Sequence, residues 1–325
     1  MWAAVQGFPH QIQECPVVKD LFPDTFSPKR VIVCAMGGSA FPADLLSEHI
    51  TVPMTVHRGY ADTLGVIDSD ALYICQSFSG NTEEVLSCAK KVLGASAPLL
   101  LVCNGGELRR LAERCSVPFV GFPPLPEYFQ PRCASGYFLA ILAQVFDQVG
   151  LSDGLFTTMQ SSFEWLSEKW DECKRRALEL ADAIDDVLLL LGDESIRDNV
   201  LRIGRIKLNE NAKRMVFVDT LPEFNHNAME AFAASSQRNS VLLVKSGRTG
   251  DQFEKRLETT KIFLSELGWS TAVLTLHGDS EMKKSLYGLW ILDIMSLVLA
   301  DRTGICPMAI DRIESFKKLL ASRKD

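Results

Sequence analysis

Short runs of almost uninterrupted apolar residues alternate along the chain with segments that carry apolar residues every three or four positions. "RVIVCAM" (30–36) leads into "AFPADLLSEHI", "ALYICQ" (71–76) into "NTEEVLSCAKKVL", and "APLLLVC" (97–103) into "GELRRLAERC", while "VPFVGFP" (117–123) closes the series. Runs with no polar face predict strands buried on both sides, as in a parallel sheet covered by helices. Residues 134–184 then read as helix, with a break between "ASGYFLAILAQVFDQVG" and "SSFEWLSEKWDECKRRALELADAI". The alternation resumes in "DVLLLLG", "RMVFVD", "SVLLVKSG" and "STAVLTLHG". An α/β fold of two units is expected, divided as residues 1–152 and 153–325.

A chain of 325 residues accommodates two medium domains, and 47% hydrophobic with 23% charged residues is ordinary for a globular protein. The net charge of −7, without a long basic block, argues against a nucleic-acid or anionic-membrane surface. The longest apolar contender, "LYGLWILDIMSLVLA" (286–300), carries Asp293 and falls short of the ~18 residues a membrane span needs, so it reads as a buried helix. The opening "MWAAVQGFPHQIQE" has neither the basic nor the apolar region of a signal peptide. Nine cysteines without CxxC spacing predict reduced, mostly buried thiols and a cytoplasmic location. Five dispersed histidines show no metal-ligand spacing, and no metal or other cofactor is expected.

Two predicted strand–turn–helix junctions are rich in small and polar residues: "AMGGSAFPAD" (35–44) and "QSFSGNTEEV" (76–85). A helix that opens directly after a strand presents unpaired backbone N–H groups and a positive dipole end to an anion. The hydroxyls of Ser77, Ser79 and Thr82 can each donate to a phosphate oxygen, and bonds to a charged group contribute about 1.5–3 kcal/mol each. Helix capping is the plainer use of such residues, with Asn81 and Glu84 forming a capping box. One cap, however, needs one hydroxyl rather than three. Neither GK[ST] nor GxGxxG is present, which disfavours ATP and dinucleotides.

The turn "SxSGxT" (Ser77, Ser79, Gly80, Thr82) resembles the phosphosugar-binding loop of the sugar-isomerase (SIS) domain, and "MGGSA" (36–40) resembles the glycine–serine turn of one SIS subgroup. Further segments point to the same subgroup: "QPRCASGYFL" (130–139), "KLNENAK" (207–213), "LPEFNHNAME" (221–230) and "IESFKKLL" (313–320). Together they resemble, in order and along nearly the whole chain, the bifunctional phosphoglucose/phosphomannose isomerases. The resemblance implies two SIS-type, flavodoxin-like α/β/α sandwich subdomains. The first would carry the phosphate loop, with Gly38, Ser39, Ser77, Ser79 and Thr82 as its binding residues. The second would carry the catalytic Glu and His and the C-terminal helix.

The activity implied is aldose–ketose isomerisation of glucose 6-phosphate, and of mannose 6-phosphate as well, to fructose 6-phosphate through a cis-enediol(ate). Glu210 maps to the base, His226 to the ring-opening acid/base, Arg132 to the cation beside the enediolate, and Lys317 to a C-terminal lysine that assists ring opening. A homodimer with the site shared between subunits is also implied, His226 entering from the neighbour. Spacing alone leaves Glu223 open as the base and Lys318 open in place of Lys317. Taken singly, each residue has an ordinary alternative: an exposed carboxylate, a structural histidine, a salt-bridged loop arginine, a solvated lysine. Two segments depart from the family pattern: Pro42 and Ala43 stand where a glycine is common, and "GICPMAI" (304–310) replaces "DPTPV" near Lys317. A phosphosugar sensor without catalysis and an isomerase of an aminosugar or pentose phosphate are the competing readings.

Overall fold

A computed structural model describes the chain except residues 128, 186, 235–238, 248–249 and 324–325, with the backbone alone described at 232–234 and 321. Two short helices, α1 (Trp2–Gln6) and α2 (Gln11–Glu14), precede the first α/β unit. That unit runs β1 (Arg30–Cys34), α3 (Gly37–Leu46), β2 (Met54–His57), β3 (Ala71–Gln76), α4 (Glu83–Gly94), β4 (Leu99–Val102), α5 (Gly106–Cys115) and β5 (Phe119–Val120). Its strands are parallel in the order β2-β1-β3-β4-β5. Three helices follow: α6 (Ser135–Gln148), α7 (Leu155–Ser167) and α8 (Trp170–Ala181). The second unit runs β6 (Val187–Asp193), α9 (Arg202–Ala212), β7 (Met215–Leu221), β8 (Asn239–Lys245), α10 (Asp251–Glu266) and β9 (Ser270–Thr275), a parallel sheet in the order β7-β6-β8-β9. Helices α11 (Glu281–Arg302) and α12 (Asp311–Ser322) complete the chain.

The strand order 2-1-3-4-5 is that of flavodoxin-like folds, in which ligands bind beyond the carboxyl ends of the strands where the order reverses. In the first sheet that place lies between β1 and β3. Both are followed by the polar turns singled out from the sequence.

The apolar runs 71–76 and 187–193 are buried along their length because helices cover both faces of each sheet. Strand β2 has no counterpart among the sequence-predicted elements: it is an edge strand of four half-buried or exposed residues, too short and mixed to stand out. The run 286–300 is the buried helix expected, inside α11, with the Trp290 indole N–H donating to the Val5 carbonyl at 2.7 Å. One contiguous apolar cluster takes side chains from β1, α3, α6, α7, β6, α9 and α11, so the two units share a core. All nine cysteines are free thiols, and six are buried. Among the described residues, no helix is long and apolar enough to cross a membrane.

Arg58, just after β2, donates to both carboxylate oxygens of Asp44 and so ties α3 to the sheet edge. Burial pushes the Asp44 pKa up to about 6 against the pull of Arg58. An unfolded aspartate releases its proton near ~4, so between these values the folded chain binds more protons. The stability this group contributes is therefore greatest below ~4 and is lost as pH rises through the folded value. Urea unfolding from pH 4 to 7 should show that decline in the wild type and a flatter profile in Asp44→Asn.

Candidate active site

The stretch between β3 and α4 gathers the three predicted hydroxyls. Ser77 Oγ lies 2.8 Å from Thr82 Oγ1 and 3.5 Å from Ser79 Oγ, which accepts the Asn81 N–H at 3.2 Å. Phe78, between the two serines, packs on Phe122 and Phe129 with ring centroids 5.4 and 5.9 Å apart. This apolar anchor fixes the turn from behind. Thr82 stands at the N-cap of α4 without a side-chain capping bond, and Asn81 uses its Oδ1 to accept the Glu107 N–H at 3.0 Å. The capping box that Asn81 and Glu84 could have formed is thus not what holds the helix. The hydroxyls face one another beside a helix N-terminus, the arrangement that suits a phosphate.

The first glycine turn is bound to this cradle. Gln76 Nε2 donates to the Ser39 carbonyl at 2.5 Å, and Ser39 Oγ accepts the Phe78 N–H at 3.4 Å. At Gly80, with φ of +66°, a Cβ would come within 1.8 Å of the Gly105 carbonyl oxygen. Only glycine fits there, because backbone meets backbone and the conformation is left-handed. Gly80→Ala should displace the turn and weaken phosphosugar binding by about tenfold or more, as calorimetry would register.

Arg132 enters from the other side. A short 3₁₀ turn, Pro131–Cys133, leads into α6 and leaves Arg132 only 3% exposed. A Cβ on Gly38 would lie 3.6 Å from Arg132 Cα, so the glycine turn rests against this arginine's backbone. The guanidinium donates from Nε to Asn211 Oδ1 at 2.5 Å, from Nη1 to Gln130 Oε1 and Glu210 Oε2 at 3.2 Å each, and from Nη2 to the Pro307 carbonyl. Glu210 keeps 28% of its side chain exposed and can be reached from outside.

Below the guanidinium lies a buried polar network. Lys207 Nζ donates to the Arg132 carbonyl and to Asp293 Oδ2, both at 2.5 Å, and Asn211 Nδ2 donates to Ser296 Oγ at 2.8 Å. Lys207, Glu210 and Asn211 recur at i, i+3 and i+4 and therefore share one face of α9. Gln11 braces the start of α6, donating to the Cys133 carbonyl at 2.6 Å and accepting the Gly136 N–H at 2.9 Å. Lys213, just past α9, donates to the carbonyls of Ala309 (2.6 Å) and Glu210, which holds the segment leading to α12 against the site. Burial, with Arg132 nearby, lowers the Lys213 pKa from its ordinary value.

The remaining candidates lie elsewhere in the single chain. His226 and Glu223 are exposed in the turn after β7, where Glu223 Oε1 accepts the Asn227 amide at 2.6 Å. The end of α9 is tied to the opposite end of that strand, with Val216 N–H donating to Asn209 Oδ1 at 3.2 Å. Seven residues of strand span roughly 20 Å. One chain therefore pairs Glu210 with Arg132, connects Arg132 to the hydroxyl-bearing turn through Gly38 and Ser39, and leaves His226 apart. Lys317 and Lys318 are exposed on α12, and Lys317 pairs with Glu314 at 2.7 Å. Sequence reasoning missed the supporting Lys207, Asn211 and Gln11. The signal for the first two was available: Asp293 inside an apolar run demands a buried partner. Gln11 left no such trace. Among the described residues, no group of three or more His, Cys, Asp or Glu could hold a metal ion.

Fold and turns together define a class, the two-sheet SIS architecture. A solved glucosamine-6-phosphate deaminase from Thermotoga maritima superposes with a TM-score of 0.66 at 18% identity, covering 94% of this chain and 95% of that one. The model of the bacterial phospho-glucose isomerase C-terminal SIS domain matches residues 172–320. Along nearly its whole length the chain is similar to bifunctional phosphoglucose/phosphomannose isomerases. It is 28% identical to one from Aquifex aeolicus over 98% of each chain, and 24% identical to one from Caldicellulosiruptor bescii over 100% of each.

Proposed function

We propose that the protein is an aldose–ketose isomerase that interconverts glucose 6-phosphate, and mannose 6-phosphate, with fructose 6-phosphate by proton transfer. The observation that carries this reading is the Glu210–Arg132 pair, 3.2 Å apart, with the Gly38 turn resting on Arg132 and Ser39 bonded to the segment that carries the hydroxyls. Ser77, Ser79 and Thr82, with Gly38 and Ser39, hold the substrate phosphate and so fix the distant carbons. Glu210 removes the C2 proton of the open-chain aldose. The electron pair forms the C1–C2 double bond and the negative charge moves to O1. Arg132, charged at any working pH, stabilises that enediolate. Transfer of the O2 proton to O1, and return of the abstracted proton from Glu210 to C1, complete the ketose.

His226 opens the ring from a second copy of the chain, with Lys317 assisting, so the working unit is a homodimer with shared sites. Two features support this. His226 is exposed and distant from its own Glu210, and the region around α12 and β7 shows uncovered apolar side chains: Ile313, Phe316 and Leu319 on the helix, Met215 and Phe217 on the edge strand. A cytoplasmic location fits the free thiols. Mixing Glu210→Gln with His226→Ala subunits should restore roughly a quarter of wild-type activity, because half the dimers are mixed and each carries one complete site. No recovery would count against sharing.

The reading itself is tested by incubating the protein with glucose, mannose and glucosamine 6-phosphates and measuring the ketose formed. Turnover of the first two is expected. Tight binding without turnover would favour a sensor, and turnover of the aminosugar alone would favour the other isomerase reading.

A further inference from the structure

Gln76 closes β3 with a carboxamide that is fully buried and only half engaged. Its Nε2 donates to the Ser39 carbonyl, which fixes the group's orientation and turns Oε1 away from that oxygen. Among the described residues Oε1 has no partner. Leaving a buried acceptor unmatched costs about 1–3 kcal/mol, and interiors seldom keep one unless something absent from the folded chain completes it.

Its position says what that is. Along β3, Leu72 and Ile74 belong to the cluster shared with α3 and α6, while Tyr73 and Cys75 belong to the cluster under α4. Strand alternation puts Gln76 on the α3/α6 face, where Arg132 leads into α6. Ser135, the first residue of α6, lies three residues beyond Arg132, and its Oγ is likewise buried and without a partner among the described residues. The phosphate cradle begins at Ser77, one residue after Gln76. The Arg132–Glu210 pair lies across the Gly38 turn from it. Gln76 thus adjoins the phosphate turn along the chain and is bonded to Ser39, the neighbour of the glycine that rests on Arg132.

We propose that Gln76 is a substrate-binding residue whose Oε1 accepts a hydrogen bond from a hydroxyl in the middle of the sugar chain, with Ser135 Oγ as a second partner. The inference rests on the phosphosugar reading and adds to it a requirement: the ligand carries a hydroxyl donor between its phosphate and its reacting carbons. A site built around such a bond discriminates strongly against ligands that lack the hydroxyl.

Calorimetric titration of Gln76→Leu and Ser135→Ala with fructose 6-phosphate, and with ethyl phosphate, tests it. Ethyl phosphate has the monoester but no hydroxyls. Gln76→Leu also removes the brace on Ser39, so it should weaken fructose 6-phosphate by about tenfold or more beyond whatever loss it causes for ethyl phosphate. Ser135→Ala, too small a change to endanger folding, should weaken fructose 6-phosphate alone by about threefold or more. Equal losses for both ligands would show that Gln76 only braces Ser39, and unchanged fructose 6-phosphate binding in both variants would also overturn the proposal. If Gln76→Leu does not fold, an unaffected Ser135→Ala decides against it. Failure of the underlying reading looks different, since the wild type would then bind neither ligand.

Discussion

Glu210→Gln is expected to lower turnover of glucose 6-phosphate by about 10²–10⁴-fold, the range that a positioned general base contributes. Glutamine keeps the length of the side chain and an oxygen for Arg132 at the 3.2 Å contact, so the guanidinium should stay in place. The proposed phosphate cradle belongs to a different part of the chain and should hold its ligand as before. Phosphosugar affinity in the variant should accordingly fall within about threefold of wild type, so that the loss appears in kcat rather than KM. Glu223→Gln should leave turnover nearly intact, because the Glu223 carboxylate is engaged by the Asn227 amide and does not pair with Arg132. The opposite pattern would move the base to Glu223.

Breaking the Lys207–Asp293 pair should have the largest effect on stability. The two side chains are 1% and 4% exposed and 2.5 Å apart. Removing one partner of such a pair leaves a buried charge uncompensated and typically costs about 3–5 kcal/mol. Asp293→Ala should therefore lower the unfolding free energy in urea by about that amount, and Lys207→Met likewise. The double change Lys207→Met with Asp293→Leu removes both charges and should regain most of the stability. Activity should not return with it, because the Arg132 carbonyl would still lack the Lys207 ammonium and Asn211 its contact with Asp293. Stability recovered without turnover would mark the network as the support of Arg132. A double variant with wild-type turnover would mean that Arg132 needs no such support.

The layered architecture was legible because strands such as 71–76 and 187–193 carry no polar face, and only a covered parallel sheet buries both sides of a strand. Strand β2 escaped because an edge position relaxes that demand. The turn after β3 stood out for the opposite reason: three hydroxyls and a glycine exceed what a helix start needs. Arg132 and Glu210 are 78 residues apart, and no periodicity links them; their meeting depends on how α6 and α9 pack across the shared core. Likeness to a family named these residues, and physical reasoning from spacing alone did not. Asp293 was visible as an anomaly inside an apolar run, yet its partner, in a different helix, was not. His226 and Lys317 are exposed in the folded single chain, and the expectation that His226 enters from a neighbouring subunit concerns an assembly that one chain does not contain.

The central claim is transfer of a proton between adjacent carbons of a bound sugar phosphate. Its most direct test is incubation of the protein with glucose 6-phosphate in D₂O, followed by NMR of the recovered sugars. The account predicts fructose 6-phosphate in the mixture and solvent deuterium at C2 of the aldose and C1 of the ketose, with neither seen in Glu210→Gln. Isomerisation without any exchange would indicate a hydride shift or a fully shielded proton and would contradict the half-buried, solvent-reachable Glu210 as the base. No conversion at all, with the phosphosugar still bound, would leave a binding protein in place of an enzyme.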